Sequence, residues 1–261
     1  MRNARLKIPL LALAGIAIVL GVDHGLRPSG PIYQGKPVKH WVDDCVRKPS
    51  TTFSSRNPEF RTLIAIGSNA VPYLIEAIQH EPGLFGTKAY RSVYYSLPDA
   101  VSKRLPAPLD RNTVRLRAYV ALASLGPASN AAVPFLVEQF HPTNRELVSI
   151  GYALGAIGPL AGEAVPVLTN AFHSTNRIFR QTAARTLAKI APDYPPLLPE
   201  MLMELKSEDV QRRRSACLVL GELGVSAKSG IAALRGATED KDAEVRTNAR
   251  WALRAIEREE E

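Results

Sequence analysis

The sequence predicts an all-α chain: a right-handed superhelical solenoid of helical hairpins, preceded by one N-terminal apolar helix. Three observations predict it. From about residue 113 onward, segments of roughly the same length recur with the same residue types at the same spacing. The apolar content, 46% of 261 residues, is mostly Ala, Leu, Val and Ile with only 7% aromatics, and Ala and Leu are strong helix formers. The 20 prolines rule out long unbroken helices but suit many short ones that carry proline in the first turn. A hydrophobic share of this size also excludes wholesale disorder.

Residues 1–30 read as an address, either a signal anchor or a signal peptide. Arg2, Arg5 and Lys7 precede an uncharged apolar run from Ile8 to Val22, the basic-then-apolar order of an export signal. The run has 15 residues, short beside the roughly 20 of a comfortable transmembrane helix. Val22-Asp23-His24-Gly25-Leu26 offers no small-x-small cleavage site, and no cysteine stands at the end of the run to take a lipid. An uncleaved anchor through residues 8–22 is therefore favoured over a cleaved signal. Positive charge before the span keeps the N-terminus in the cytoplasm and sends the rest across. The expected product is a single-pass protein with its soluble part outside the cytoplasm, or an exported one if the segment is cleaved. A buried N-terminal helix fits less well, because the run is apolar on every face.

Residues 31–56 are expected to cap the array. Tyr33-Gln34-Gly35-Lys36-Pro37 leads into a helix around Val38–Arg47 that carries His40, Trp41 and Cys45, with Trp41 and Val42 covering the exposed end. Residues 57–80 hold a first, shortened unit. FRTLIAIGSNAVPYLIEAI has helix, glycine and Ala-Val-Pro in order, but five residues separate Gly67 from Pro72 where eight separate Gly126 from Pro134. Residues 81–112 interrupt the array. They carry Tyr90, Tyr94 and Tyr95 and end in the stiff Leu105-Pro106-Ala107-Pro108, which predicts a short helix and an extended strap. The strap packs on the solenoid flank or, as insertions in repeat proteins often do, offers tyrosines to a partner.

Residues 113–261 form the regular array. AYVALASLGPASNAAVPFL at 118–136 and IGYALGAIGPLAGEAVPVL at 150–168 align without gaps. AARTLAKIAPDYPPLLPEML at 183–202 and ACLVLGELGVSAKSGIAAL at 216–234 are more worn copies. The column Gly126, Gly158, Ala191, Gly224 advances by 32, 33 and 33 residues. Pro134, Pro166 and Pro199 keep the same steps, with Ala232 in the last copy, as do Leu136, Leu168, Met201 and Leu234. Each unit reads as two antiparallel helices. Thr143, Asn176, Asp209 and Asp242 are expected to cap the first helix, whose apolar positions recur at i, i+4 and i+7, as in Ile150, Leu154 and Ile157. Glycine ends it, and Ala-Val-Pro opens the second helix, where proline costs no hydrogen bond. One hairpin cannot bury its apolar faces alone, whereas stacked neighbours can. The tail 244–261 supplies a last first helix with Arg246, Arg250, Trp251 and Arg254, then an acidic end, and reads as a C-terminal cap.

One column is charged. Arg115, Arg180, Arg213 and Arg246 share a position in the first helix, with Leu147 in the unit between. They are expected to form a structural ladder, reaching a carbonyl or carboxylate of the neighbouring unit, with Asp209, Asp240, Asp242 and Glu244 as candidate acceptors. Much of the +8 net charge sits in this column, which dilutes its meaning as a sign of an anionic partner.

The repeat, L-x-x-[LI]-G-P followed by A-V-P, resembles the HEAT repeat, and more narrowly the short bacterial HEAT-like or phycobilisome-lyase-like form, over roughly 113–256 with the partial unit before it. The opening Y-x-G-K-P followed by Trp41 is similar to that of exported bacterial HEAT-like proteins. The resemblance implies architecture and leaves chemistry open. Iron hydroxylases of HEAT fold use repeated His-Glu pairs, and this chain has one, His80-Glu81. The phycobilin lyases of this repeat class attach a chromophore to a cysteine, a role that an exported location argues against.

The residues themselves offer little chemistry. No phosphate loop or G-x-S-x-G occurs, and no nucleophile pairs with a base. Cys45 and Cys217 lie far apart, so no disulfide framework is expected, and Cys217 falls in an apolar stripe. His141 and His173 both follow a phenylalanine at the end of a second helix and need a further carboxylate to hold a metal. No catalytic, metal or cofactor residues are assigned. HEAT-like DNA glycosylases line a concave face with basic and aromatic residues, whereas the second-helix faces here carry Glu138, Gln139, Asn170, Glu200, Glu204 and Arg235. The arginine clusters at Arg115, Arg117 and Arg212–Arg214 lie on first helices, placed on the convex side, so nucleic acid is disfavoured. The expected function is a non-catalytic protein-binding scaffold whose partner surface comprises Tyr90, Tyr94, Tyr95, Glu138, Gln139, Asn170, Glu204 and Arg235. Two alternatives stay open: an enzyme or chromophore-handling protein using the insert with His141 and His173, and a basic scaffold for anionic lipid or nucleic acid.

Overall fold

Each repeat folds in the order its chemistry dictates. A polar residue starts the first helix, glycine (Ala191 in the third copy) ends it, a tight turn reverses the chain, and proline (Ala232 in the fourth copy) opens the second. The computed structural model describes residues 30–47, 58–80, 88–102, 104–105 and 108–258. The apolar segment 8–22 and Glu81 lie outside the described residues, as does part of the insert.

The chain begins with a hairpin of strands β1 (Ile32–Tyr33) and β2 (Lys36–Pro37), paired antiparallel with Ile32 opposite Pro37 and Tyr33 opposite Lys36. It is the one departure from the all-α prediction among the described residues. Gln34 and Gly35 take φ of 48° and 75°, the two positive φ values of a tight hairpin turn. Helix α1 (Val38–Arg47) follows at once. Trp41 Nε1 donates to the Tyr33 carbonyl at 3.0 Å and its ring meets Tyr33 edge-on. The Y-x-G-K-P…W motif is thus a hairpin pinned to a helix, and Val42 goes into the core.

Units follow in order: α2 (Pro58–Ile66) with α3 (Val71–Gln79), then the insert helices α4 (Lys88–Ser96) and α5 (Asp99–Ser102), then α6 (Arg111–Leu125) with α7 (Val133–Gln139), and α8 (Leu147–Ile157) with α9 (Val165–Phe172). The array continues with α10 (Arg177–Ile190) and α11 (Leu197–Glu204), then α12 (Val210–Leu223) and α13 (Ile231–Ala237), and ends on α14 (Ala243–Arg258). Gly67, Gly126, Gly158 and Gly224 all have φ between 54° and 72°. At Gly126, Gly158 and Gly224, ψ lies between −130° and −147°, a region open to glycine rather than the left-handed helical one. A seven-residue 3₁₀ turn follows each of these three, whereas the first unit closes with a four-residue turn, the reason its glycine and proline stand closer in sequence.

The cap column holds in three of four copies. Asn176 Oδ1 accepts from Phe179 N, Asp209 Oδ1 from Gln211 N, and Asp242 Oδ1 from Glu244 N and Val245 N. Thr143 does not cap. Asn144 Oδ1 accepts from Glu146 N at 3.0 Å while its amide donates to the Gln139 carbonyl, bonds that order the loop, and α8 starts at Leu147 with no side-chain cap.

Successive first helices α6, α8, α10, α12 and α14 lie against one another along the stack, and each second helix packs under the next first helix. The second helices barely touch each other. Leu122, Leu154, Leu187 and Leu220 from the first row meet Leu136, Leu168, Met201 and Leu234 from the second in one continuous core. Three helix-turn-helix stretches, Arg111–Gln139, Leu147–Phe172 and Val210–Ala237, are long and apolar enough to cross a membrane. Each is doubled back at its glycine turn with its apolar side in that core, which accounts for the composition.

Candidate binding groove

The first helices, which lie against one another along the stack, line a groove of about 420 Å³ that runs from α6 to α14.

Its walls come from positions one step round the helix from the core columns. Val148, Tyr152 and Ile178 stand 57%, 58% and 54% exposed, although their neighbours Ile150, Leu154 and Phe179 are buried. Small side chains make the floor, with Gly151, Thr182 and Ser215 on successive helices. Gly151 is required there: a Cβ on it would fall 2.4 Å from Thr182 Cγ2 and 2.9 Å from Thr186 Oγ1. Thr186 Oγ1, buried, lies 2.8 Å from the Thr182 carbonyl and 3.2 Å from the Gly151 carbonyl, hydrogen-bonding α10 to α8 across this contact.

Charge is arranged along the two edges. Near the C-terminal ends of the first helices, Lys189 Nζ lies 2.9 Å from Glu222 Oε2 and Arg185 Nη2 lies 3.2 Å from Glu222 Oε1. The Lys189 ammonium also sits 5.9 Å from the centroid of the Tyr152 ring. Near the N-terminal ends, Arg214 grips Asp242 with two hydrogen bonds of 2.9 and 2.7 Å and reaches Glu244 Oε2 at 2.5 Å. The guanidinium beside it holds the Asp242 carboxyl well below the usual range, and that carboxylate in turn raises Arg214.

None of the residues expected to bind a partner lines this groove. Tyr90 is buried on α4, Tyr94 packs between Tyr90 and Tyr95, and Tyr95 is exposed. Glu138 and Gln139 end α7, Asn170 lies on α9 and Arg235 on α13. These residues lie on separate second helices, outside the groove. Glu204 is buried near the end of α11, and burial raises its carboxyl above the ordinary value, with Arg180 and Arg212 pulling the other way.

The arginine column makes contacts at every rung. Arg213 Nε and Nη2 donate to Asp240 at 2.8 and 3.0 Å, and Nη1 donates to the Ser207 and Glu208 carbonyls. Arg180 donates to the Ser174 carbonyl and Arg246 to the carbonyls of Asp240 and Lys241. Arg115 pairs with Glu146 at 3.5 Å. Asp240 thus serves two rungs, while Asp242 and Glu244 belong to Arg214.

The remaining candidates are local. His141 Nδ1 lies 2.9 Å from Thr143 Oγ1, and the Tyr194 hydroxyl lies 3.4 Å from His173 Nε2. No three His, Cys, Asp or Glu side chains gather into a metal-holding group among the described residues. Cys45 and Cys217 are both buried and form no disulfide, and burial pushes the Cys217 thiol up to about 12, which keeps it protonated and unreactive at neutral pH. The groove had a sequence signal of its own. The outward columns change from unit to unit, as in Val148, Gln181, Arg214 and Val120, Tyr152, Arg185, Leu218, where core columns stay constant.

No family model and no curated protein matches this chain. Among solved structures, a designed armadillo repeat protein in complex with the peptide (KR)4 is similar at 13% identity and a TM-score of 0.40, over 84% of this chain and 99% of that one. The complex of CpcE and CpcF of phycocyanin lyase from Nostoc sp. is similar at 20% identity and a TM-score of 0.37, over 89% of this chain and 98% of that one.

Proposed function

We propose that the chain is a non-catalytic protein-binding scaffold that takes a segment of a partner in the first-helix groove. One observation carries this reading: a groove with a small-residue floor, exposed apolar walls at Val148, Tyr152 and Ile178, and charged edges. The basic-then-apolar N-terminal sequence supports a site held at the membrane or exported, outside the cytoplasm.

The test is selection of a displayed library of random decapeptides on the full chain, repeated on a Val148→Arg/Ile178→Arg variant. Both positions are exposed, so the substitutions fill the groove and spare the core. Wild type is expected to enrich binders that the variant loses. Binders retained by the variant, or none at all, would sink the groove as the binding site. A reporter fused after Glu261 checks the location; signal on the cytoplasmic side overturns it.

A further inference from the structure

The two edges of the groove carry opposite excess charge. Arg185 and Lys189 share the single carboxylate of Glu222, so that edge holds one cation more than it neutralises. Their side chains are 45% and 31% exposed while Glu222 is only 15% exposed, which leaves the cations facing an incoming group. On the other edge one guanidinium, Arg214, is shared by Asp242 and Glu244, and Glu244 is 59% exposed. That edge holds one carboxylate more than it neutralises. Between them lie the apolar side chains of Tyr152, Leu218, Val148 and Ile178.

Resting on the reading of the groove as a peptide site, we infer that its occupant is a partner segment with an acidic and a basic side chain on either side of apolar ones. The carboxylate lies against Arg185 and Lys189, and the cation against Glu244. The spacing follows from helix geometry. The Lys189 level and the Glu244 level stand eleven helical positions apart once repeats are superposed. At about 1.5 Å per residue this is roughly 16 Å along the helices; two interaxial steps of about 9 Å from α10 to α14 bring the span to about 24 Å, which an extended segment covers in about seven residues. An armadillo-type basic repeat has no such pattern, nor has a uniformly acidic segment.

The decapeptide selection tests this directly when run on three further proteins: Arg185→Ser/Lys189→Ser, Glu222→Gln and Glu244→Gln. Binders that depend on the groove are expected to carry an acidic residue about seven positions from a basic one. Arg185→Ser/Lys189→Ser weakens them about fivefold, the scale of an exposed ion pair, and has no effect on the same peptides with the carboxylate changed to its amide. Glu222→Gln uncovers the two cations and tightens acidic binders, a gain that poor folding cannot mimic. Glu244→Gln weakens only peptides that bear the cation. Groove-dependent binders without this charge pair, or insensitive to all three variants, overturn the charge inference and leave the groove standing. An absence of groove-dependent binders overturns both.

Discussion

The two faces of each first helix obey different rules. On the inward face an apolar residue returns at every repeat, as with Leu122, Leu154, Leu187 and Leu220, all fully buried. On the outward face, one step round, the residue changes each time: Val148, Gln181, Arg214. A solenoid buries its core only if neighbouring units present matching surfaces, so the inward face has to repeat. The outward face has no such duty, and its variation writes a non-repeating surface along the groove. In this chain likeness between repeats encodes the fold, and difference between repeats encodes what the fold holds.

Paired substitutions on one helix break this comparison most sharply. Leu187→Ala removes a fully buried side chain from α10 and is expected to cost about 2–5 kcal/mol, whereas Gln181→Ala on the outward face changes stability by less than about 0.5 kcal/mol. Urea unfolding of both variants checks it, and similar losses would mean that the outward face also holds the stack together. The arginine column gives the next largest effect. Arg213 is buried and makes four hydrogen bonds, so Arg213→Ala is expected to cost about 2 kcal/mol, concentrated in the C-terminal hairpin. Hydrogen exchange across α12 to α14 would show it. Loss spread evenly over all units would contradict a ladder built rung by rung.

Most of the fold was legible in the sequence because the repeat fixed it many times over. The glycine, the Ala-Val-Pro opening and the shortened first turn each follow from local chemistry that four copies restate. Three things were not legible. The Gln34–Gly35 hairpin is too short to show period-two alternation. Thr143 stands in the capping column, but the loop is ordered by Asn144 instead and α8 starts with no side-chain cap. The groove was hidden because it depends on how first helices pack across units, which no single hairpin records. The candidates Glu138, Gln139, Asn170, Glu204 and Arg235 lie on second helices and the tyrosines on the insert, away from the residues that line it. The columns that line the groove stand in the sequence as positions whose chemistry differs between copies.

Glu204 sharpens the comparison from the second-helix side, with the smallest effect. Its carboxyl is buried and raised above its ordinary value, the largest cause being burial itself. The unfolded chain titrates it at about 4.3. Because the folded value is higher, the folded state binds the proton more tightly, and stability falls as pH rises from the unfolded value through the folded one. At neutral pH the charged carboxylate is therefore a net cost that its arginine neighbours only partly offset. Glu204→Gln keeps the shape without the charge, so its melting temperature is expected to exceed that of wild type at pH 7, and the difference to vanish in acid, where wild-type Glu204 is itself protonated. Thermal melts across that range decide it. A variant that is less stable at pH 7 would show that Arg180 and Arg212 rely on the carboxylate, and would make Glu204 part of the ladder rather than a buried charge the solenoid tolerates.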